Sequence, residues 1–203
     1  MWLTKLFELP SERFLKLLIA LLLSTIVSIG ALAQPAGFPP PPIGYGWVSC
    51  TETKSVFLKP DGWFFKKVGK DSQTWGYFFT KENIDKLGSF STGLSVNVVL
   101  DVQAKSGTPA RDYAAAFVGE AAKANSVLVE PWQKKLGPFH QFGVRTLVPD
   151  SKRGDFINHI LAIGNEETGT VYFLTFEAPV TSWEAAWKVG EPILKKFSID
   201  TDI

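Results

Sequence analysis

The architecture of this 203-residue chain is set by two apolar segments and the polar turn between them: F-I-N-H-I-L-A-I (156–163), G-N-E-E-T-G (164–169) and T-V-Y-F-L-T-F-E-A (170–178). Two such segments around a glycine-bounded turn are typical of a β-hairpin. Both faces of the first strand are apolar, with Ile157, Leu161 and Ile163 on one face and Phe156, Ile160 and Ala162 on the other. A sheet that is apolar on both faces must be covered on both. We therefore predict an α+β fold, an α/β/α sandwich with a mainly antiparallel sheet and one helix on each face.

Two segments supply the covering helices. The first begins with Thr108 as N-cap and Pro109 at the first helical position. Its predicted apolar stripe is Ala110, Tyr113, Phe117, Ala121 and Ala124. The second follows Ser182 as N-cap, with a predicted stripe of Trp183, Trp187, Gly190, Leu194 and Phe197. Pro192 lies inside it and predicts a kink or a break into two helices.

The N-terminal part has the pattern of an export signal. Lys5, Arg13 and Lys16 precede a charge-free apolar run at 17–29, and A-L-A follows at 31–33. Signal peptidases need small residues at such a site. We predict a signal peptide at 1–33, a Pro/Gly-rich linker at 34–50, which includes four prolines at 39–42, and one domain at 51–203. A retained membrane anchor is the alternative. The expected location is periplasmic or extracellular.

Charge and cysteine content exclude some partners. Residues 1–33 hold three of the 21 basic and two of the 20 acidic side chains, so 18 of each remain in the mature chain. This balance argues against a nucleic-acid partner. Cys50 is the single cysteine, so an intramolecular disulfide is impossible. We interpret Cys50 as a small buried residue, with an intermolecular disulfide or a reactive thiol as the alternatives.

Several motifs resemble those of the PsbP-like family, whose founding members are extrinsic proteins of the photosystem II oxygen-evolving complex. They are P-D-G-W (60–63), G-Y-F-F (76–79), L-S-V-N-V (94–98), H-x-L (159–161), T-G-T-V-Y-F (168–173), E-A-P (177–179), S-W-E-A-A-W (182–187) and K-K-F-S-I (195–199). The resemblance implies the sandwich fold and a binding or accessory role. The chain lacks the lipid-attachment cysteine of cyanobacterial forms and has a single leader segment. Both departures favour a bacterial periplasmic relative, and an extrinsic photosystem II subunit of the thylakoid lumen with Ca²⁺ association is the alternative.

The sequence has no H-E-x-x-H, G-x-S-x-G, C-x-x-C or glycine-rich phosphate loop. We therefore predict no catalytic residues and no cofactor. His140 and His159 are interpreted as core residues, and a two-histidine metal site completed by Asp155 or Glu177 is the alternative. Oxygen ligands for Ca²⁺ could come from Asp150, Asp155, Glu166 and Glu167, whereas the bland interpretation of Glu166 and Glu167 is a solvated turn.

Aromatic residues are abundant, with seven Trp and sixteen Phe. Most are expected to fill the core, but Trp47, Trp75 and Trp132 lie near predicted loops or strand ends and are our candidates for contact with a partner. The predicted function is a noncatalytic exported accessory module that binds a protein partner of a membrane-associated complex, and reaches the membrane through that partner. The alternative is a periplasmic small-ligand binder or enzyme that uses a pocket between sheet and helix.

Overall fold

The computed structural model describes residues 37–71 and 73–202. The strands are β1 (Tyr45–Cys50), β2 (Ser55–Pro60), β3 (Phe64–Asp71), β4 (Thr74–Thr80), β5 (Gly93–Val99), β6 (Ser126–Leu136), β7 (Phe139–Val148), β8 (Phe156–Asn165), β9 (Val171–Pro179) and β10 (Ser198–Ile199). The helices are α1 (Ile84–Leu87), α2 (Val102–Ser106), α3 (Ala110–Ala124) and α4 (Trp183–Lys195). The predicted signal segment, 1–33, lies outside the described residues. Within the described part of the chain, no helix is long and apolar enough to cross a membrane.

The strands form two antiparallel sheets. The larger has seven strands in the order β3-β4-β5-β9-β8-β7-β6, and the smaller has the order β1-β2-β10. Strands β8 and β9 pair as the predicted hairpin, with Gly164 opposite Val171 and Phe156 opposite Pro179. The sheet is covered on both faces by helices, which confirms the predicted α+β sandwich. The small sheet is a further layer on the α4 side, which the sequence analysis did not anticipate.

Helix α3 covers one face of the large sheet, but not with the predicted stripe. Ala110, Ala114 and Val118 are its buried residues, whereas Tyr113 and Phe117 remain 37% and 38% exposed. The reason is a close approach of helix and sheet. A Cβ added to Gly164 of β8 would lie 2.6 Å from the carbonyl oxygen of Ala110. Only small side chains fit in so narrow a gap, and the two rings are displaced to its side.

Helix α4 covers the opposite face, together with the small sheet. Its buried residues are Trp183, Ala186, Gly190 and Ile193, and Trp187, Leu194 and Phe197 pack half-buried against the same core. The predicted break at Pro192 is wrong, because the helix continues to Lys195. Pro192 lies in the last turn of the helix. Because proline has no N–H, the helix loses only one hydrogen bond, the one to the carbonyl of Lys188.

Strand β1 begins inside the segment that the sequence assigned to a linker, 34–50. Tyr45 pairs with Pro60 and Cys50 with Ser55. Cys50 is free and 2% exposed. The preceding residues are also fixed to the domain, since the Trp47 indole N–H donates to the carbonyl of Pro39 at 2.8 Å. The folded domain therefore begins before residue 51.

Candidate functional site

The three candidate tryptophans lie in different parts of the fold. Trp47 is 7% exposed and belongs to the core, which removes it as a contact for a partner in the folded state. Trp75 is half-buried on β4 and covers Gly69, with the Lys67 ammonium 5.9 Å from its ring centre. Trp132 is 37% exposed on β6. Four strands separate β4 from β6 in the sheet, so Trp75 and Trp132 do not share one surface.

The two histidines lie on opposite faces of the large sheet. His140 alternates with Phe139 and shares the α3 face with Phe142, whereas His159 lies on the α4 face with Leu161. His140 pairs with Gly164 in the register of β7 and β8, five positions along β8 from His159. A shared metal ion would have to bridge both faces. The alternative of a two-histidine metal site is therefore absent among the residues that the structure describes.

The four carboxylates considered as Ca²⁺ ligands are also divided, between the two ends of β8. Asp150 is used by its own turn, since it accepts hydrogen bonds from the backbone N–H groups of Lys152 and Arg153 and from Arg153 Nε. Glu166 lies beyond the other end of the strand, where its Oε2 is 2.9 Å from His140 Nε2 and 3.6 Å from Lys135 Nζ. Across residues 37–71 and 73–202, no three His, Cys, Asp or Glu side chains come together as a metal site.

Strand β6 is a long exposed edge of the large sheet. Ten of its eleven residues are exposed. Four of them are large and apolar: Leu128 (48%), Val129 (40%), Trp132 (37%) and Leu136 (55%). We call these four side chains the β6 patch. Two register irregularities, between Val127 and Val129 and between Val129 and Trp132, interrupt its pairing with β7.

A groove of about 630 Å³ lies between helix α4 and the β6–β8 face of the sheet. Its apolar lining includes Trp132, Phe139, Leu161, Trp187, Leu194 and Phe197. Its polar lining includes Lys134, Gln141, Arg145, His159, Glu191 and Lys195. Trp132 reaches this groove by lying over Gly143, where an added Cβ would be 2.8 Å from the indole nitrogen.

Arg145 is the central charged residue of the groove. Its guanidinium carbon lies 4.3 Å from the ring centre of Trp187 and 5.0 Å from that of Trp183. The two indoles are themselves stacked, with ring centres 5.3 Å apart and an angle of 15° between the planes. Burial lowers the pKa of Arg145, and the negative charges of Glu184 and Glu191 oppose that shift. The guanidinium remains charged because arginine deprotonates only far above neutral pH.

His159 is the cross-strand neighbour of Arg145 in the register of β7 and β8. Its ring centre lies 4.7 Å from that of Trp187. Burial, followed by the positive charge of Arg145, lowers the pKa of His159 to about 4, against a smaller opposing effect of Glu191. The imidazole is therefore neutral at pH 7. Both Arg145 Nε and His159 Nδ1 are buried and find no hydrogen-bond partner among the described residues.

Arg145 was not among the predicted site residues, although a pocket between sheet and helix was the alternative to partner binding. The available signal was the alternation of β7, in which Arg145 falls between Gly143 and Leu147 on the face that packs toward α4. A charged side chain at an inward position needs either an ion pair or a ligand. The groove can bind a molecule through stacking, hydrogen bonds and positive charge.

Three solved structures are similar to this chain in fold. They are cyanobacterial PsbP (CyanoP) from Synechocystis sp. PCC 6803 (TM-score 0.47, 13% identity, 88% of this chain and 99% of the other), the Ran-binding protein Mog1p from Saccharomyces cerevisiae (0.42, 13%, 76% and 95%), and PA94, a protein of unknown function from Pseudomonas aeruginosa (0.38, 15%, 73% and 94%). No family model matches the sequence, and no curated protein matches it significantly. At identities of 13–15% the likeness is one of fold alone.

Proposed function

We propose that this protein is a noncatalytic exported accessory module that binds a protein partner through the β6 patch. The observation that carries the proposal is the apolar exposure of this edge, where Leu128 and Leu136 are about half exposed. Proteins usually protect the edge strands of their sheets with charges, bulges or covering segments, because an exposed apolar edge associates with other chains. A partner that covers the β6 patch would remove these apolar side chains from water.

The edge is protected against indiscriminate strand pairing and yet keeps its apolar side chains. Pro131 cannot donate a backbone hydrogen bond, and it lies within the second register irregularity, between Val129 and Trp132. Lys134 and Lys135 add positive charge to its second half. Side chains, more than a continuous backbone ladder, would therefore provide the contact. Apolar anchors surrounded by polar residues are the usual composition of a protein-binding hot spot.

The proposal includes membership of the PsbP-like family and export to the periplasm or the cell exterior. Two of the motifs occupy structural positions that support the family membership. P-D-G-W forms the turn between β2 and β3, where the Trp63 N–H donates to the carbonyl of Pro60 at 3.1 Å. S-W-E-A-A-W forms the start of α4. Association with a membrane complex would then occur through the bound partner, and a thylakoid-lumen location is the alternative.

The test is capture of a partner by the mature protein from an envelope fraction, with photo-crosslinking from position 128 to identify the captured chain. Leu128→Ser should lower capture at least tenfold and leave the melting temperature nearly unchanged, because Leu128 is already exposed. Leu87→Ser is the matched control. Leu87 is 66% exposed in α1 and should not affect capture.

Two results would contradict the proposal. One is equal capture by the Leu128→Ser and Leu87→Ser variants, which would place the contact elsewhere. The other is a partner that proves to be a second copy of this chain. Sedimentation would detect that second case, as a dimer that Leu128→Ser converts to a monomer.

A further inference from the structure

The groove beside α4 holds a cation that the described part of the chain leaves without a counter-ion. Arg145 has no carboxylate within ion-pair distance there. Glu184 and Glu191 act on the pKa of Arg145 from beyond that distance, and Glu191, which also lines the groove, pairs with Lys195 Nζ at 3.0 Å. The lining contains three cationic side chains, those of Lys134, Arg145 and Lys195, and the single carboxylate of Glu191. The groove therefore has an excess of positive charge.

Two polar atoms in the same groove lack partners among residues 37–71 and 73–202. Arg145 Nε and His159 Nδ1 are both buried and make no hydrogen bond within this part of the chain. A buried polar group without a partner destabilises the fold, and more so when it is charged. Arg145 and His159 are directly opposite each other on neighbouring strands. One ligand group could therefore contact both.

The guanidinium lies against two indole rings. Its carbon is 4.3 Å from the ring centre of Trp187 and 5.0 Å from that of Trp183. Stacking leaves the N–H donors at the edge of the plane available, since they lie in that plane. A stacked arginine presents its donors as a planar fork, which matches the two oxygens of a carboxylate.

We propose that this groove is a binding site for a monocarboxylate carried on an apolar body. Arg145 binds the carboxylate, His159 contributes a hydrogen bond, and the apolar body lies against Trp132, Leu194 and Phe197. A volume of about 630 Å³ is within the range of small-molecule sites. A monoanion suits the apolar lining better than a phosphate dianion, because burial of two charges costs more. Two residues of the β6 patch, Trp132 and Leu136, also line this groove, so the site adjoins the surface proposed for a partner. Binding of the carboxylate needs no partner and is tested on the isolated protein.

The probe is 3-phenylpropionate, titrated into the mature protein by calorimetry, with 3-phenylpropionamide as its neutral counterpart. The acid should bind and the amide should bind at least tenfold more weakly. In a ¹H–¹⁵N spectrum, the Arg145 Nε–H signal should shift on addition of the acid. Since this measurement uses the unaltered protein, it remains decisive even where a variant at Arg145 does not fold.

Two arginine variants complete the test. Arg145→Lys keeps the charge but loses the planar fork, and should weaken binding of the acid roughly 10- to 100-fold, the range for hydrogen bonds to a charged group. Arg153→Lys is the matched control. Arg153 also lies over an aromatic ring, at 4.5 Å from the centre of Phe156, but outside the groove, and this variant should bind as the wild type does.

The carboxylate could belong to a free metabolite or to an acidic side chain of a protein. A second titration separates these sources with an acetylated, amidated peptide L-F-E-F-L and its L-F-Q-F-L counterpart. Binding of 3-phenylpropionate supports a free ligand, and binding of the Glu peptide alone supports a protein side chain. The proposal is overturned if neither acid binds at millimolar concentration, if acid and amide bind equally, or if Arg145→Lys binds the acid as tightly as the wild type.

Discussion

The ring of Phe176 lies directly against the backbone of helix α4 at Gly190. A Cβ added to Gly190 would come within 2.7 Å of three carbon atoms of that ring. Both residues are buried, Phe176 completely. Helix α4 therefore approaches the sheet as closely as it does because position 190 has no side chain.

Gly190→Ala should lower the free energy of unfolding by about 3 kcal/mol. Alanine favours a helix over glycine, but here its methyl group would overlap the Phe176 ring, and overpacking typically costs about 1–3 kcal/mol. Urea unfolding of the variant measures the loss. Gly119→Ala in α3 is the control, since an added Cβ there meets nothing within 4 Å. It should stabilise the protein by about 0.5–1 kcal/mol. A stabilised Gly190→Ala variant would mean that α4 packs differently.

Trp187→Ala should cost about 3 kcal/mol of stability. The indole contacts the rings of Phe176, Trp183 and His159 and the guanidinium of Arg145, and loss of a large packed aromatic costs about 3–5 kcal/mol. The low end applies because Trp187 is only half-buried. Thermal or urea unfolding gives the value.

The control for Trp187 is Lys195→Ala, two turns later on the same helix. Lys195 is exposed and pairs with Glu191 one turn earlier, at 3.0 Å. Such exposed pairs contribute about 0.3–0.5 kcal/mol, so the loss should be of that size. Equal, small losses for both variants would show that the Trp187 side chain does not contribute to the core.

His159 should make the protein less stable in mild acid. Its pKa is about 4 when folded and 6.5 as a free side chain, so the unfolded chain binds a proton that the folded chain excludes. The stability that this group contributes is complete above pH 6.5 and is lost as the pH falls toward 4. At pH 5 the loss is about 2 kcal/mol. Urea unfolding of wild type and His159→Gln at pH 7.5 and 5 should show a shallower pH dependence in the variant. Parallel curves would contradict this.

Glu177 should make the protein less stable as the pH rises, the opposite of the effect of His159. Burial raises its pKa to about 7, with Glu82 adding to the increase and Arg153 opposing it. The folded chain then retains a proton that the unfolded chain loses above pH 4.5, so stability is greatest below pH 4.5 and falls as the pH rises through 7. Between pH 5 and 8 the loss is about 2–3 kcal/mol. In Glu177→Gln this loss should disappear from urea unfolding measured at the two pH values. A variant that still loses it would show that Glu177 is ionised throughout.

The sequence was most informative where one pattern determined one structure. Strands β8 and β9 have apolar residues on both faces. Such a strand is stable only in the middle of a sheet that is covered on both faces. The stripes of the helices were less informative. Tyr113 and Phe117 are the largest apolar residues of α3, yet the helix buries Ala114 and Val118 because its distance from β8 is set by Gly164. A distance between elements is not encoded in the periodicity of either one.

The candidate site was predicted only in part. Trp132 is a candidate because it lies near a predicted strand end, and it is both exposed and part of the groove. Trp47 is a candidate on the same grounds, but β1 pairs with β2 and Trp47 is buried in the core. The pairing of Arg145 with His159 depends on the register between β7 and β8, which local sequence does not specify. Contacts between residues on neighbouring strands are therefore the part of a site that is hardest to predict from a single sequence.

Cys50 has a practical consequence for anyone who studies the folding of this domain. Its side chain is buried in the core, and burial raises the pKa of the thiol to about 12. At pH 8 almost none of it is the thiolate, the form that attacks disulfide reagents. Reaction of Cys50 with an aromatic disulfide therefore requires an opening of the domain that exposes this residue. The rate at which the coloured thiol is released then measures how often this part of the molecule opens. The natural protein needs no added label for this experiment.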